Sequence, residues 1–407
     1  MARSFLFLQG VCSPFFSRLG RRLKSHGQHV ARINFNMGDT AQWRAGNAAS
    51  CTEPINAFST FYQDHFRRHA VTDIVLFGDQ RPVHRPAIVQ AQQSGIRTHV
   101  YEEGYFRPYW VTLEREGVNA NSQLPADPDW YRELGGKVPG YRNGRTFASS
   151  FRNRAWHDIA YQLCNLVNRW RYPHYVGHSP YAAWDEYRAY ACRGLRMVRR
   201  RSVDASVIAN LLRDGRRFYL LPLQLDSDSQ IRLHSGFQNM ADLLAQAMKS
   251  FALHAPADTM LVVKNHPLDP GLARHEITTR ALAQSFDIRD RVVFLESGHL
   301  PTLLSHATAV VTVNSTVGGS ALWHARPLIA LGAAIYRMPG LTFQGGLDRF
   351  WREHQPPDMA LFHCFRNVVI HTTQVNGGFY SNEGIEMAVE NSLGRLMAQR
   401  SAVEQLT

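Results

Sequence analysis

AVVTVNSTVGGSALWHARPLIAL, residues 309–331, decides the fold class. Its first five residues are apolar or β-branched and read as a buried strand over 309–313. Asn314, Ser315 and Thr316 then turn the chain into a helix over 317–324, with Ser315 or Thr316 as N-cap. Pro327 opens a second apolar strand over 327–331. Strand, tight turn, helix and strand in this order form a βαβ unit, whose strands pair in parallel.

The same rhythm extends outward. Upstream, strands are expected over 217–222, 259–264 and 292–295, with helices over 235–253, 274–286 and 300–305. At the N-terminal end, strands over 4–9, 30–34, 73–77 and 97–101 accompany helices over 15–27 and 86–94. Between residues 125 and 201 the rhythm breaks into a stretch rich in Arg, Trp and Tyr. There Trp156, Ile159, Ala160, Leu163, Val167 and Trp170 fall at helical spacing. The expected architecture is α/β, with two Rossmann-like doubly wound domains facing a central cleft. They span residues 1–205, with a basic aromatic insertion at about 125–201, and 206–380; a helix follows over 381–407.

Composition narrows the function. The chain has 407 residues, 44% hydrophobic and 19% charged, so it is globular and long enough for two cores. A formal charge of +12 points to an anionic partner: nucleic acid, an anionic membrane surface or a phosphorylated small molecule. No nucleic-acid recognition motif is present. Five scattered cysteines without CxxC spacing suggest reduced thiols in the cytoplasm. The apolar run over 5–8 is too short for a signal sequence and is broken by Gln9 and Gly10. No stretch approaches the ~20 apolar residues of a membrane span, so any membrane association is expected to be peripheral.

Open α/β sheets bind ligands beyond the carboxyl ends of their strands, and five motifs sit there. Gln9-Gly10-Val11-Cys12-Ser13-Pro14 follows the first strand, where glycine permits close backbone approach to a ligand. Tyr101-Glu102-Glu103-Gly104 runs on to Arg107-Pro108, and one of its carboxylates suits general acid or base work. Leu223-Gln224-Leu225-Asp226-Ser227-Asp228 follows the first strand of the second domain. In Lys264-Asn265-His266-Pro267 the proline stops a strand and leaves an imidazole at its tip, able to donate to a phosphate. Asn314-Ser315-Thr316-Val317-Gly318-Gly319 places hydroxyls and open amides at a positive helix terminus. Each motif alone also fits an ordinary turn or cap.

Together QGxxSPFF, EEGYFRP, QLDSDSQI, KNHPLD and VNSTVGGSAL resemble the capsule polysaccharide biosynthesis proteins of the KpsS/LipB type, over about residues 4–385. The resemblance implies a GT-B-like architecture and a retaining β-Kdo glycosyltransferase that uses CMP-Kdo. Its acceptor would be a lipid of the phosphatidylglycerol type, so that transfer initiates the capsular polysaccharide glycolipid anchor. It further implies Asp228 as nucleophile, with Asp226 as the competing candidate. Glu103 becomes the base toward the acceptor, and His266, Ser315 and Thr316 the grip on CMP. Gln9, Gly10, Ser13, Glu102, Arg107, Gln224, Lys264, Pro267, Asn314 and Gly318 complete the expected substrate-binding set. No metal or cofactor is expected, because a helix terminus and a histidine can replace a cation. An amphipathic helix with its arginines suits an anionic inner-membrane surface and fits equally a core-facing role. The expected location is cytoplasmic and peripheral at the inner membrane, beside other capsule biosynthesis or export proteins. Transfer from another CMP-sugar such as sialic acid, or a non-catalytic export role, stays open.

Overall fold

The computed structural model describes residues 2–148, 150–177, 183–226, 231 and 236–406. Twelve strands lie among them: β1 (Ser4–Phe7), β2 (His29–Asn34), β3 (Ala48–Ser50), β4 (Asp73–Phe77), β5 (Arg97–Glu103), β6 (Trp110–Arg115), β7 (Phe218–Pro222), β8 (Met260–Lys264), β9 (Val292–Leu295), β10 (Ala309–Thr312), β11 (Leu328–Ala330) and β12 (Gln374–Asn376). They build a seven-stranded sheet in the order β12-β6-β5-β4-β1-β2-β3 and a five-stranded sheet in the order β11-β10-β7-β8-β9. Each sheet belongs to its own compact unit.

In the first unit β3, β2, β1, β4 and β5 are parallel. Successive side chains of a strand point to opposite faces, so a strand buried on both faces reads as an unbroken apolar run. β1 shows this directly. Phe5 and Phe7 pack with Phe15, Leu19 and Leu23 on one face, whereas Leu6 joins Tyr62, Phe66, Ala87 and Ala91 on the other. The helix Phe15–Ser25 is therefore core-facing, and its Arg18 and Arg22 pair with Glu386 and Glu390.

The chain divides differently from the expected 1–205, 206–380 and 381–407. The first unit comprises Met1–Leu124, Lys137–His178 and Arg366–Thr407, and the second Pro125–Gly136 and Ser179–Phe365. Residues 366–407 return to the first unit for two reasons. β12 pairs antiparallel with β6, and Ile385, Val389 and Leu393 of the helix Asn382–Met397 cover the same apolar face as Phe15. β6 itself was not anticipated. β5 continues to Glu103 and folds back antiparallel onto β6, so the acidic motif opens a hairpin and no helix follows it.

All five strands of the second unit are parallel. Leu221, Val263 and Val311 face a core of Leu243, Leu244, Met248, Phe251 and Trp351. The expected helix over 235–253 runs from Met240 to His254 instead, capped by the Asn239 side chain. Among the described residues no helix is long and apolar enough to cross a membrane.

Strand order reverses once in each sheet. β2 and β4 flank β1 in the first, and β8 and β10 flank β7 in the second. Such a reversal leaves a crevice beyond the strand ends, the usual ligand position in doubly wound sheets.

Candidate functional site

In the first unit the crevice lies between the loops after β1 and β4. Arg81 Nη1 donates to Gln9 Oε1 at 3.1 Å and to the Gly10 carbonyl at 3.0 Å. The Gln9 amide nitrogen donates to Tyr175 Oη at 3.1 Å and lies 3.3 Å from Asp39 Oδ2. Gln9 is buried, and these partners make it a tie that holds the loop. Ser13 is also buried, its hydroxyl accepting from the Phe15 amide. Gly10 was expected to admit a ligand. A Cβ there would stand 2.6 Å from the Phe16 ring, so close packing of Phe16 already demands the glycine.

Glu102 and Glu103 end β5, on the same edge of the sheet. Gly104 follows because a Cβ at that position would meet the Trp110 carbonyl oxygen at 2.1 Å across the hairpin. Glu102 Oε1 accepts from the Glu103 amide at 2.9 Å. Glu103 Oε1 lies 3.1 Å from Arg154 Nη1, and the Arg154 guanidinium sits over the Tyr380 ring at 5.0 Å. Burial, helped by Glu103, pushes the Tyr380 hydroxyl well above its usual range. Burial and then Asp158 push the Cys12 thiol up to about 12, so it stays a thiol. Arg107 is exposed on the hairpin turn. Arg154 carries no motif and comes from the helix Phe151–Asn165 within the insertion.

The second unit collects the other motifs. Its crevice lies between the loops after β7 and β10, where Gln224 and Asn314 meet. Gln224 Nε2 donates to Asn314 Oδ1 at 3.0 Å, and the Asn314 amide donates to Gln224 Oε1 at 3.3 Å. The next residue, Ser315, is the N-cap of the helix Thr316–Trp323, its hydroxyl accepting from the Val317 amide at 3.2 Å. Tyr336 Oη donates to the Ser315 carbonyl at 2.6 Å. A Cβ on Gly318 would fall 2.2 Å from that phenol oxygen, so Gly318 makes room for Tyr336. Ser315 and Thr316 are half-buried at the positive end of the helix.

After β8, His266 is half-buried and Pro267 exposed. The Leu268 amide donates to His266 Nδ1 at 3.1 Å, so the neutral ring carries its proton on Nε2. The loop is braced from behind. Arg193 is buried and donates to Glu296 Oε1 at 2.6 Å, to the Pro267 carbonyl at 2.7 Å and to the His266 carbonyl at 3.3 Å. Asn265 Nδ2 reaches Asp269 at 2.9 Å and Glu296 at 3.0 Å. Lys264, expected at the ligand, is buried behind the loop and donates to the Asn265 carbonyl at 3.2 Å. Burial and then Arg193 pull its ammonium below the usual range.

Asp226 Oδ1 accepts from the Met240 amide at 2.9 Å, and Oδ2 lies 4.0 Å from His275 Nε2. Asp228, with Ser227, Ser229 and Gln230, lies outside the described residues. Among the described residues no group of three His, Cys, Asp or Glu side chains is arranged to hold a metal ion. Sequence reasoning missed Arg81, Arg154, Arg193 and Glu296, each an ordinary polar residue remote in sequence from the motif it supports.

Comparison with known proteins places these loops in context. The family model described as "Capsule polysaccharide biosynthesis protein" matches residues 72–380. The chain is 36% identical to the capsule polysaccharide export protein KpsS of Escherichia coli over 380 residues, covering 93% of this chain and 97% of that one. It is 35% identical to the capsule polysaccharide modification protein LipB of Neisseria meningitidis over 387 residues, covering 93% and 92%. A solved structure, the beta Kdo 2,7 transferase of Thermosulfurimonas dismutans KpsC, aligns over 96% of this chain and 99% of that one, with 13% identity and a TM-score of 0.44.

Proposed function

The chain belongs to the capsule polysaccharide biosynthesis family, and from that premise we propose that it is a retaining β-Kdo glycosyltransferase. It moves Kdo from CMP-Kdo to a phosphatidylglycerol-type lipid, initiating the glycolipid anchor of a capsular polysaccharide. It works as a peripheral protein at the cytoplasmic face of the inner membrane, beside other capsule biosynthesis and export proteins.

The observation that carries the reading is the composition of the second unit's strand ends. His266, Ser315 and Thr316 sit on loops of one sheet edge, around the crevice that Gln224 and Asn314 line. Helix amides, hydroxyls and an imidazole Nε2–H together favour a phosphate monoester. We assign them to the CMP leaving group, whose negative charge grows as its bond to the sugar breaks.

CMP-Kdo holds its nucleotide in the β configuration, so a β-linked product requires net retention. Asp228 attacks the anomeric carbon, the bond to the phosphate oxygen breaks, and CMP leaves with the electron pair. Glu103 takes the acceptor hydroxyl proton as that oxygen displaces Asp228, restoring the carboxylate. Two inversions give retention. Asp226 already accepts the Met240 amide, which favours Asp228 as the nucleophile. The scheme uses no metal, so EDTA leaves the rate unchanged; reversible loss of activity would instead make Asp226 and Asp228 metal ligands.

Incubation with CMP-Kdo and a fluorescent phosphatidylglycerol analogue tests the proposal, with product read by mass. Release of CMP together with a Kdo-modified lipid supports it. Product only from another CMP-sugar would move the donor assignment, and no CMP release from any donor would leave a non-catalytic export role.

A further inference from the structure

The helix Phe151–Asn165 and the short helix Asn168–Arg171 turn their polar side toward the protein. Tyr161 Oη accepts from Asn36 at 2.8 Å and donates to Asp39 at 3.1 Å. Asn165 Oδ1 accepts from the Gly38 amide and Asn168 Oδ1 from the Met37 amide, both at 2.8 Å. Tyr172 Oη meets Thr40 at 2.8 Å and Ser50 at 2.9 Å. Gly38 is glycine because Tyr161 occupies the place of a Cβ, 2.5 Å away.

The apolar stripe that an ordinary helix would bury is left outside. Trp156 is 70% exposed, Leu163 60%, Leu166 72% and Trp170 76%, with Ile159 at 42% between them. Their spacing of three and four residues puts Trp156, Ile159 and Leu163 in a ridge on one helix face, and Leu166 and Trp170 carry the same spacing across the turn into the short helix. A contiguous exposed apolar surface of this kind marks an interaction site. Charge selects the partner. Residues 151–176 hold four arginines and a single acid, Asp158. Arg154 is engaged with Glu103, and Arg171 donates to Ser50 and sits over the Tyr172 ring, whereas Arg152 and Arg169 are exposed near the ridge. Tryptophan at both ends, leucine between and arginine alongside is the composition of an element that lies in a bilayer interface.

We propose that the ridge Trp156–Ile159–Leu163–Leu166–Trp170 inserts into an anionic phospholipid surface, with Arg152 and Arg169 against the headgroups. The proposal rests on the lipid-acceptor reading above for its biological sense, and on the ridge alone for its physics.

The test is flotation of the full chain with phosphatidylcholine vesicles, with and without phosphatidylglycerol. Wild-type protein floats with the anionic vesicles. The triple variant Trp156→Ser, Leu163→Ser and Trp170→Ser binds them about tenfold more weakly or worse, with an unchanged melting midpoint because all three positions are exposed. Arg152→Glu with Arg169→Glu removes the preference for phosphatidylglycerol. Quenching of wild-type tryptophan fluorescence by bromine-labelled lipid supports insertion without any variant. Three results overturn the proposal: no flotation of wild-type protein, undiminished flotation of the triple variant, or a dimer that the triple variant dissolves while vesicle binding persists. Ridge-dependent flotation with no CMP release would keep the docking surface and sink the transferase; CMP release on a short-chain soluble acceptor with no flotation would do the reverse.

Discussion

In the first unit, the gap between the loops after β1 and β4 is bridged by a cation, Arg81, bound to Gln9 and the Gly10 carbonyl. In the second unit, the corresponding gap between β7 and β10 is bridged by two neutral amides, Gln224 and Asn314. The fold rule marks both as ligand positions. The first is bridged by its own side chains, and the carboxylate with a cation beside it stands at the end of β5, where Glu103 faces Arg154. The second keeps a helix N-terminus and two hydroxyls beside the gap, with a histidine on the loop after β8. On the proposed roles, one topology carries two chemistries: a carboxylate that moves a proton, and an anion site for the leaving phosphate.

The sharpest break of this comparison comes from the nucleophile assigned to the second unit. Asp228→Ala should lower initial transfer rates roughly 10⁴-fold while circular dichroism and the melting midpoint stay unchanged. Near-wild-type turnover would refute the assignment. Next come the residues that define each half. His266→Ala or Ser315→Ala should each lower kcat/KM for the donor about 10²-fold and leave the acceptor KM alone. Glu103→Gln should lower kcat by about 10²-fold or more and leave the donor KM alone.

Two arginines sharpen the contrast further. Arg193 is buried against Glu296, so Arg193→Ala should destabilise the fold by about 3 kcal/mol and raise the donor KM through the His266 loop. Arg154 is partly exposed and touches Glu103, so Arg154→Ala should cost under about 1 kcal/mol yet slow turnover about tenfold. Chemical denaturation and steady-state rates separate the two.

The smallest effect lies away from both crevices. Burial pushes the Glu114 carboxyl up to about 7, against the lowering influence of Ser122 and Tyr105. Between about pH 5 and 7 the folded chain therefore holds a proton that the unfolded chain has released, and stability falls as pH rises through that window. Glu114→Gln should flatten the dependence of the melting midpoint on pH there.

Much of this was legible in the sequence because it is local. Unbroken apolar runs such as 74–77 and 260–263 mark strands buried on both faces. Capping depends only on the next few residues, so the sequence narrowed the N-cap to Ser315 or Thr316, and Ser315 fills it. The rest depends on long-range partners. Nothing near residue 374 shows that β12 will pair with β6, which returns the C-terminal segment to the first unit. Gly10 and Gly318 look like ligand-facing glycines until the Phe16 ring and the Tyr336 hydroxyl are seen in the space beside them. The stripe from Trp156 to Trp170 has the period of a buried helix face, and periodicity alone does not say which side meets the protein. Hydrogen bonds from Asn36, Gly38 and Met37 to Tyr161, Asn165 and Asn168 decide it.

Titration of CMP into the full chain by calorimetry tests the division of labour most directly. His266→Ala and Ser315→Ala should each weaken CMP binding about tenfold or more, whereas Glu103→Gln should bind it as the wild type does. Equal weakening by Glu103→Gln, or undiminished affinity in the other two variants, would contradict the assignment of the nucleotide to the second unit.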